Sequence, residues 1–334
     1  MKKRITITDV AREAGVVPST VSNVVNGSKN VTPETREAVL QAIAKLNYQP
    51  NPVARALISG RYRMIGVLTS ALTSTYHNVV LASIEGSIAV SDYHLMIACS
   101  ESYREPIHAI DLLLQRGAEA IICLAGYPKD ERLLTLASRI PLVVINSLVP
   151  RLENRCLTVD DENGGYLAAR HLIALGHERI AYMGARHYSG AVARQMGYQR
   201  ALAERGLTVD PSLIISGEDN ADSGYRLTGR LLNQGHRFTA IMAANDETAY
   251  GVMSRLHHAR LRVPEDVSVV GYDDTPHSQY AIPPLTTVRQ PISMLGEIAV
   301  KAVIAILSGQ EPVLPVLPVE LVERASTAAP NFHR

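Results

Sequence analysis

The chain has 334 residues, 46% of them hydrophobic and 19% charged, with two phenylalanines, no tryptophan and a formal net charge of +1. This length and apolar content support two or three folded domains and exclude a disordered chain, a collagenous repeat and a disulfide-stapled miniprotein. No apolar run approaches the ~20 residues that span a bilayer.

The start, Lys2-Lys3-Arg4, has the basic character of a signal peptide, but Asp9, Arg12 and Glu13 interrupt the apolar stretch that one needs. Cys99, Cys123 and Cys156 are odd in number and contain no C-x-x-C pair. They read as reduced core residues, so a cytoplasmic protein without membrane, metal or cofactor is expected. The charge is unevenly spread. Residues 1–63 hold ten Lys/Arg against four acids, whereas the remaining 271 carry 23 bases against 28 acids. A basic head on a slightly acidic body points to a polyanion-binding module joined to a second function, or to a merely solvated basic terminus.

The first 47 residues contain three short helical patterns. Thr8 is placed to cap a first helix with Val10, Ala11 and Ala14 on its apolar face, stopped by Gly15. A second begins at Pro18, buries Val21, Val24 and Val25, and ends at Asn26-Gly27. A third opens with Thr32-Pro33-Glu34 and shows Val39, Ala42, Ile43 and Leu46 at helical spacing. Two short helices joined by a Gly-containing turn and braced by a third read as a helix-turn-helix or as a generic three-helix bundle. The second helix offers Ser19, Thr20, Ser22 and Asn23, short polar groups suited to phosphates and base edges in a major groove.

Thr6-Ile7-Thr8-Asp9-Val10-Ala11-Arg12-Glu13-Ala14-Gly15-Val16, Ser19-Thr20-Val21-Ser22, Val31–Arg36 and Leu46–Asn51 resemble the headpiece of the LacI/GalR family of bacterial repressors. The resemblance implies DNA contacts by Thr6, Thr8, Pro18, Ser19, Thr20, Ser22, Asn23, Asn26, Thr32, Thr35 and Tyr48. There are two departures. Val17 stands where the family usually has a capping serine, and Asn23 stands where an arginine that reads guanine is common.

Pro50–Gly60 reads as a miniature helix, with Asn51 as the expected cap, Pro52 in the first position and Gly60 as terminator. It is shorter than the ~12–15 residues an isolated helix needs, so it is expected to order only against DNA or a twin copy. The alternative is a plain linker. By resemblance it is the hinge helix, contributing Asn51, Ala54 and Arg55 to DNA contact and Leu57 as an apolar wedge in the minor groove.

From Met64 onward short apolar runs alternate with amphipathic segments. Strands are predicted at Met64–Leu68, Leu95–Cys99, Ala120–Leu124, Leu142–Ile145, Ile180–Met183, Ala240–Ala243 and Val267–Val270. Helices lie between them, including Gly165–Leu175, Arg194–Arg205, Glu247–His258 and Leu295–Leu307. Such alternation means parallel sheets covered by helices, and the pattern is long enough to run through twice. No phosphate-cradling glycine loop, G-x-S-x-G elbow or metal-spaced histidine pair is present, and adjacent His257-His258 cannot share a helix face. No enzymatic or catalytic residue is assigned.

Polar residues do collect at the carboxyl ends of strands, where open parallel sheets bind ligands: Asn146, Asn245-Asp246 and Asp273-Asp274. For Asp246 and Asp274 the competing reading is that they cap the following helices. Val159–Gly165, Leu175–Ile180, Ala244–Ala249, Val267–Asp274 and Pro284–Pro291 extend the family resemblance to about residue 329. It implies an α/β fold: an all-α helix-turn-helix headpiece (1–49), a hinge (50–62), and a two-lobed periplasmic-binding-protein-like domain with parallel sheets (63–329). The first lobe would comprise about 63–160 plus 292–320, the second about 161–290 plus 321–329. Effector contacts carried over by position are Asn146, Arg194, Asn245, Asp273 and Gln290, with Tyr76 and His77 presented by the first lobe. Arg194, near the start of its helix, is alternatively a surface ion-pair partner. Asp219 occupies a spot where some relatives place a stacking aromatic.

The expected function is a dimeric repressor of pseudo-palindromic operator DNA, controlled by a small effector. No heptad tail follows the last family segment, so a dimer and not a tetramer is expected. A sugar acting as inducer is favoured over a purine or phosphorylated corepressor, because the candidate set has one arginine and no basic cluster. Two other classes compete. A sugar-binding transport protein leaves the basic head unexplained, and a nonspecific architectural DNA binder leaves the cleft idle.

Overall fold

Strand pairing gathers the apolar runs into two six-stranded sheets in the computed structural model, which describes residues 5–25, 30–48, 61–100, 106–124, 131–185 and 189–331. The described chain divides into two units, 1–62 and 63–334.

The first unit holds helices α1 (Ile7–Ala14), α2 (Pro18–Val25) and α3 (Pro33–Leu46). They close on Val10, Ala11, Val21, Val24, Val39 and Ala42, all buried. The cap of α1 is Thr6 and not Thr8. Thr6 Oγ1 accepts the Asp9 N–H while the Asp9 carboxylate accepts the Thr6 N–H at 3.0 Å. This reciprocal box needs an acid three residues after the cap, and Thr8 is followed at that spacing by Ala11. Gly15 (φ 68°) ends α1 in the left-handed conformation, and Asn47 (φ 48°) does the same for α3 after its Thr32 cap.

The second unit begins with β1 (Met64–Thr69), α4 (Thr75–Ala89), β2 (His94–Cys99), α5 (Pro106–Gln115), β3 (Ala118–Leu124), α6 (Glu131–Ala137), β4 (Leu142–Ile145) and β5 (Cys156–Val159). The chain then crosses into α7 (Asp161–Ala174), β6 (Ile180–Gly184), α8 (Ser189–Glu204), β7 (Ile214–Ser216), α9 (Ala221–Asn233), β8 (Ala240–Ala243), α10 (Asp246–His258), β9 (Ser268–Asp273) and β10 (Thr286–Arg289). It returns for α11 (Ile292–Leu307) and β11 (Val316–Leu317), and finishes on β12 (Glu320–Val322). One sheet runs β11-β5-β4-β3-β1-β2, all parallel. The other runs β12-β10-β9-β8-β6-β7, parallel except for β12.

Each sheet is packed on both faces, which is why its central strands are unbroken apolar runs. In the first lobe α4 and α11 cover one face through Ile84, Ile88, Leu295 and Val303, and α5 and α6 cover the other through Ile110, Leu113 and Leu133. In the second lobe α7 and α8 cover one face and α9 and α10 the other. The strands that went unpredicted (β5, β7, β10, β11 and β12) have two to four residues, and β10 opens with two threonines. Helices α7 and α8 start several residues earlier than their apolar periodicity indicates, because polar residues open α7 and small ones open α8. Gly165 and Gly197 let the two helices touch: a Cβ on Gly165 would lie 2.0 Å from the Arg194 carbonyl oxygen, and one on Gly197 would lie 1.9 Å from that of Glu162.

One buried acid ties the strand ends of the second lobe together. Asp246 Oδ2 accepts the Thr275 N–H (2.8 Å) and hydroxyl (3.1 Å), and Oδ1 accepts the Thr287 hydroxyl (2.6 Å). Helix capping falls to its neighbour Asn245, so Asp246 is a tie and not a cap. Burial outweighs these three hydrogen bonds and raises the Asp246 carboxyl from its ordinary value of 3.8 to about 7. Between those values the folded state binds the proton that the unfolded state has lost, so this group's contribution to stability falls as pH rises from about 4 to about 7. Asp246→Asn should flatten that part of the pH–stability curve, whereas Asp246→Ala should lower stability at every pH by ~1–3 kcal/mol for the orphaned Thr275 N–H alone. Urea denaturation from pH 4 to 8 checks both.

Candidate functional site

In the first unit α2 turns Val21 and Val24 into the core and leaves Ser19 and Asn23 exposed, with Thr20 and Ser22 half-buried. The Val17 carbonyl accepts the Thr20 N–H at 2.9 Å and so starts the helix, but its apolar side chain, 60% exposed, brings no oxygen to the free N–H groups there. Thr6 and Thr8 lie exposed at the start of α1, and Thr32 bonds Thr35 at the start of α3. Tyr48 is half-buried against the core. Asn26 and the hinge residues Asn51, Ala54, Arg55 and Leu57 lie outside the described residues.

In the second unit a row of polar side chains runs from one lobe to the other. Asn146, directly after β4, donates through Nδ2 to the Tyr76 hydroxyl oxygen at 2.8 Å and to Gln290 Oε1 at 3.0 Å. Gln290 donates in turn to Asp273 Oδ1 at 2.6 Å. Tyr76 rides on the first turn of α4 and Asp273 ends β9, while Gln290 sits on the crossover from β10 to α11. All four are buried. Asn146 (φ 58°) and Asp273 (φ 113°) have positive φ angles that side-chain-bearing residues rarely adopt, which is typical of functional sites. Burial pushes the Asp273 carboxyl well above its ordinary value, against the pull of Arg194 and the Gln290 hydrogen bond.

Arg194, 2% exposed, lies in the second turn of α8 and not at its start. Its Nε donates to Asp161 Oδ1 at 2.8 Å and its Nη1 to the Ala244 carbonyl oxygen at 2.5 Å. The guanidinium carbon lies 3.7 Å from the centre of the Tyr272 ring, within cation–π range. The surface ion pair considered from sequence is therefore a buried one. Asn245 is half-buried, capping α10 through the Thr248 N–H (2.8 Å) and donating to the Asp219 carbonyl oxygen (3.0 Å). Asp219 in turn accepts the Ala185 N–H at 3.0 Å.

His77 stands apart from the row. Its Nδ1 lies 3.1 Å from Thr69 Oγ1 and 3.2 Å from the Ala71 carbonyl oxygen, so the ring braces the β1–α4 loop from within, and burial lowers its pKa. Tyr76 thus joins the row and His77 the loop, although their ring centroids lie 5.8 Å apart. Asp274, expected as a possible cap, has φ 54° and gathers Arg289 and Arg324, each at 2.7 Å. Sequence reasoning passed over Asp161 as a site residue. The signal for it was a second acid at the strand end, next to the capping Asp160 and in need of a cation, and Arg194 supplies one.

A helix-turn-helix in one unit and a two-lobed body with a polar interlobe row in the other are the parts of a nucleic-acid-binding regulator. Residues 6–51 match the model for bacterial regulatory proteins of the lacI family, and 169–327 match a periplasmic binding protein-like domain. The chain is 34% identical over 332 residues to the HTH-type transcriptional regulator GalR of Escherichia coli, covering 98% of this chain and 97% of that one. It is 36% identical over 299 residues to the HTH-type transcriptional repressor PurR of Haemophilus influenzae, covering 88% and 89%. Among solved structures, the lac repressor dimer bound to operator and the anti-inducer ONPF superposes with a TM-score of 0.89 at 33% identity, covering 98% of this chain and all of the other. The chain belongs to the lacI family: it is a transcriptional regulator, and not an enzyme. No described helix is long and apolar enough to cross a membrane.

Removing Asp161 leaves a buried guanidinium without its counter-charge, a loss of ~3–5 kcal/mol. Asp161→Ala should therefore lower the urea midpoint far more than Asp161→Asn, which keeps an oxygen to accept from Nε.

Proposed function

We propose that this regulator is an operator-specific repressor, active as a homodimer, whose DNA affinity is set by a neutral polyhydroxylated effector, a sugar or sugar derivative, held between the lobes. Residues 1–49 would read DNA, 50–62 would form the hinge, and 63–329 would bind effector and pair the subunits. The observation that carries the effector reading is the row Tyr76–Asn146–Gln290–Asp273, with Arg194 already matched by Asp161. Amides, a phenol and a carboxyl suit hydroxyls, which both donate and accept. A cation committed to an internal acid favours a neutral ligand over a phosphorylated one. Arg194, Asn245, Asp273 and Gln290 would hold the effector with Tyr76 and Asn146 closing on it, and His77 would act from behind. The relatives' names supply a GalR as well as a PurR, so a purine corepressor is the second reading.

DNA contacts are assigned to Ser19, Thr20, Ser22 and Asn23 on α2 and to Thr6, Thr8, Pro18, Thr32, Thr35 and Tyr48 around it. Asn26 and the hinge residues Asn51, Ala54, Arg55 and Leu57 complete the set. The lac repressor structure is that of a dimer on its operator. Twofold pairing of small heads over a pseudo-palindrome gives this chain the same route to affinity. The exposed Asn23 suits bidentate pairing with adenine, where an arginine takes guanine, a choice worth ~1–3 kcal/mol.

Asn23→Arg should move the selected operator toward guanine at one symmetric position per half-site, as read by sequence selection from random duplexes. If six phosphates are neutralised, the log–log salt slope of operator binding should be about −5. A thermal-shift screen of sugars and purines should raise Tm with a sugar, since a ligand at ~100 times its Kd adds ~2.7 kcal/mol. Asp273→Ala should abolish that shift and the effector response while leaving operator affinity unchanged. A purine hit would establish the second reading, and an unaltered response in Asp273→Ala would remove the cleft assignment.

A further inference from the structure

Among the described residues, two polar contacts besides the Asn146–Gln290 bond join the lobes. The Ser147 and Ser189 hydroxyl oxygens lie 3.4 Å apart. The Thr75 backbone N–H, at the first position of α4 in the first lobe, donates to Glu247 Oε1 of the second lobe at 2.6 Å. The second contact has unusual electrostatics. Thr75 is the first residue of a 15-residue helix, and its N–H has no carbonyl to meet within that helix. The Ser74 hydroxyl takes the N–H of His77 and leaves that of Thr75 to an outside acceptor. Glu247 is itself in the first turn of α10, just after the Asn245 cap. One carboxylate thus sits where the positive ends of two helices, one from each lobe, converge, and a negative charge is stabilised at both.

We infer that Glu247 is an interlobe latch: its carboxylate ties the N-terminus of α4 to that of α10 and holds the two lobes closed over the polar row. The bond connects the lobe that leads directly from the head to the lobe that carries Arg194 and Asp273. Opening the cleft must break it and leave the Thr75 N–H to find another acceptor. The latch is placed at the rim and not in the row, because both Thr75 and Glu247 are only half-buried whereas Tyr76, the next residue, is buried. It therefore sets how readily the cleft opens without choosing what enters. The inference rests on the two-lobed body alone. Its test uses neither effector nor DNA, so its failure leaves the proposed function standing.

Hydrogen–deuterium exchange on the full-length protein reads the latch at places Glu247 does not touch. Glu247→Ala should speed exchange in residues 146–149 and 189–193, the facing walls of the cleft, by about fivefold or more, the factor that corresponds to ~1 kcal/mol. Glu247→Gln keeps an oxygen to accept from Thr75 and loses the charge, so it should give a smaller increase at the same two walls. A merely local cap would change exchange only within residues 73–78, and that result, or no change, overturns the inference. Should Glu247→Ala also loosen the strand amides of both sheets, the Glu247→Gln variant decides. Faster exchange confined to the walls supports the latch, and unchanged walls reject it.

Discussion

The second lobe is organised around one buried cation. Arg194 is withdrawn from water, and a guanidinium in that position persists only if its charge and its N–H groups are answered. Asp161 answers the charge at 2.8 Å, the Ala244 carbonyl takes a second N–H, and the Tyr272 ring covers the face. These three partners come from α7, from the end of β8 and from β9. The cation therefore fixes the relative positions of the elements that carry Asn245 and Asp273. Asp246 does the complementary work one layer away, where its carboxyl holds Thr275 and Thr287. The polar surface of the cleft rests on these two anchors.

The chain passes between the lobes three times, at Asp160, at Gln290 and between β11 and β12. Two of the crossings are also working parts. The first is followed at once by Asp161, the counter-charge of Arg194, and the second is Gln290, which links Asn146 of one lobe to Asp273 of the other. A ligand that replaced any bond in this row would change the connection between the lobes where the chain crosses from one to the other. That is the physical requirement for a switch: a ligand shifts a two-state equilibrium only through contacts that differ between the states.

Much of this was legible in the sequence. The three-helix head, seven of the strands and the polar strand ends follow from capping residues and apolar periodicity, and Asn146, Asp273 and Gln290 meet in one row. Thr8 was misread because a threonine with a helical run after it resembles a cap. The decisive residue was the acid three positions beyond Thr6. Family position pairs Tyr76 with His77, and the hydrogen bonds place Tyr76 in the row and His77 within the β1–α4 loop. The roles of Asp161 and Glu247 could not be read from spacing, since their partners lie 33 and 172 residues away. Short strands such as β7 and β12 carry too few residues to show a period and form because neighbours offer them an edge.

The central claim is that one chain couples a DNA-reading head to a ligand-binding cleft, and thermodynamic reciprocity tests it most directly. The measurement is calorimetric titration of the sugar found by thermal shift into the free protein and into the operator complex. The account predicts two different dissociation constants, whose ratio equals the ratio of operator dissociation constants measured with and without that ligand. Equal effector affinity in both forms would contradict it.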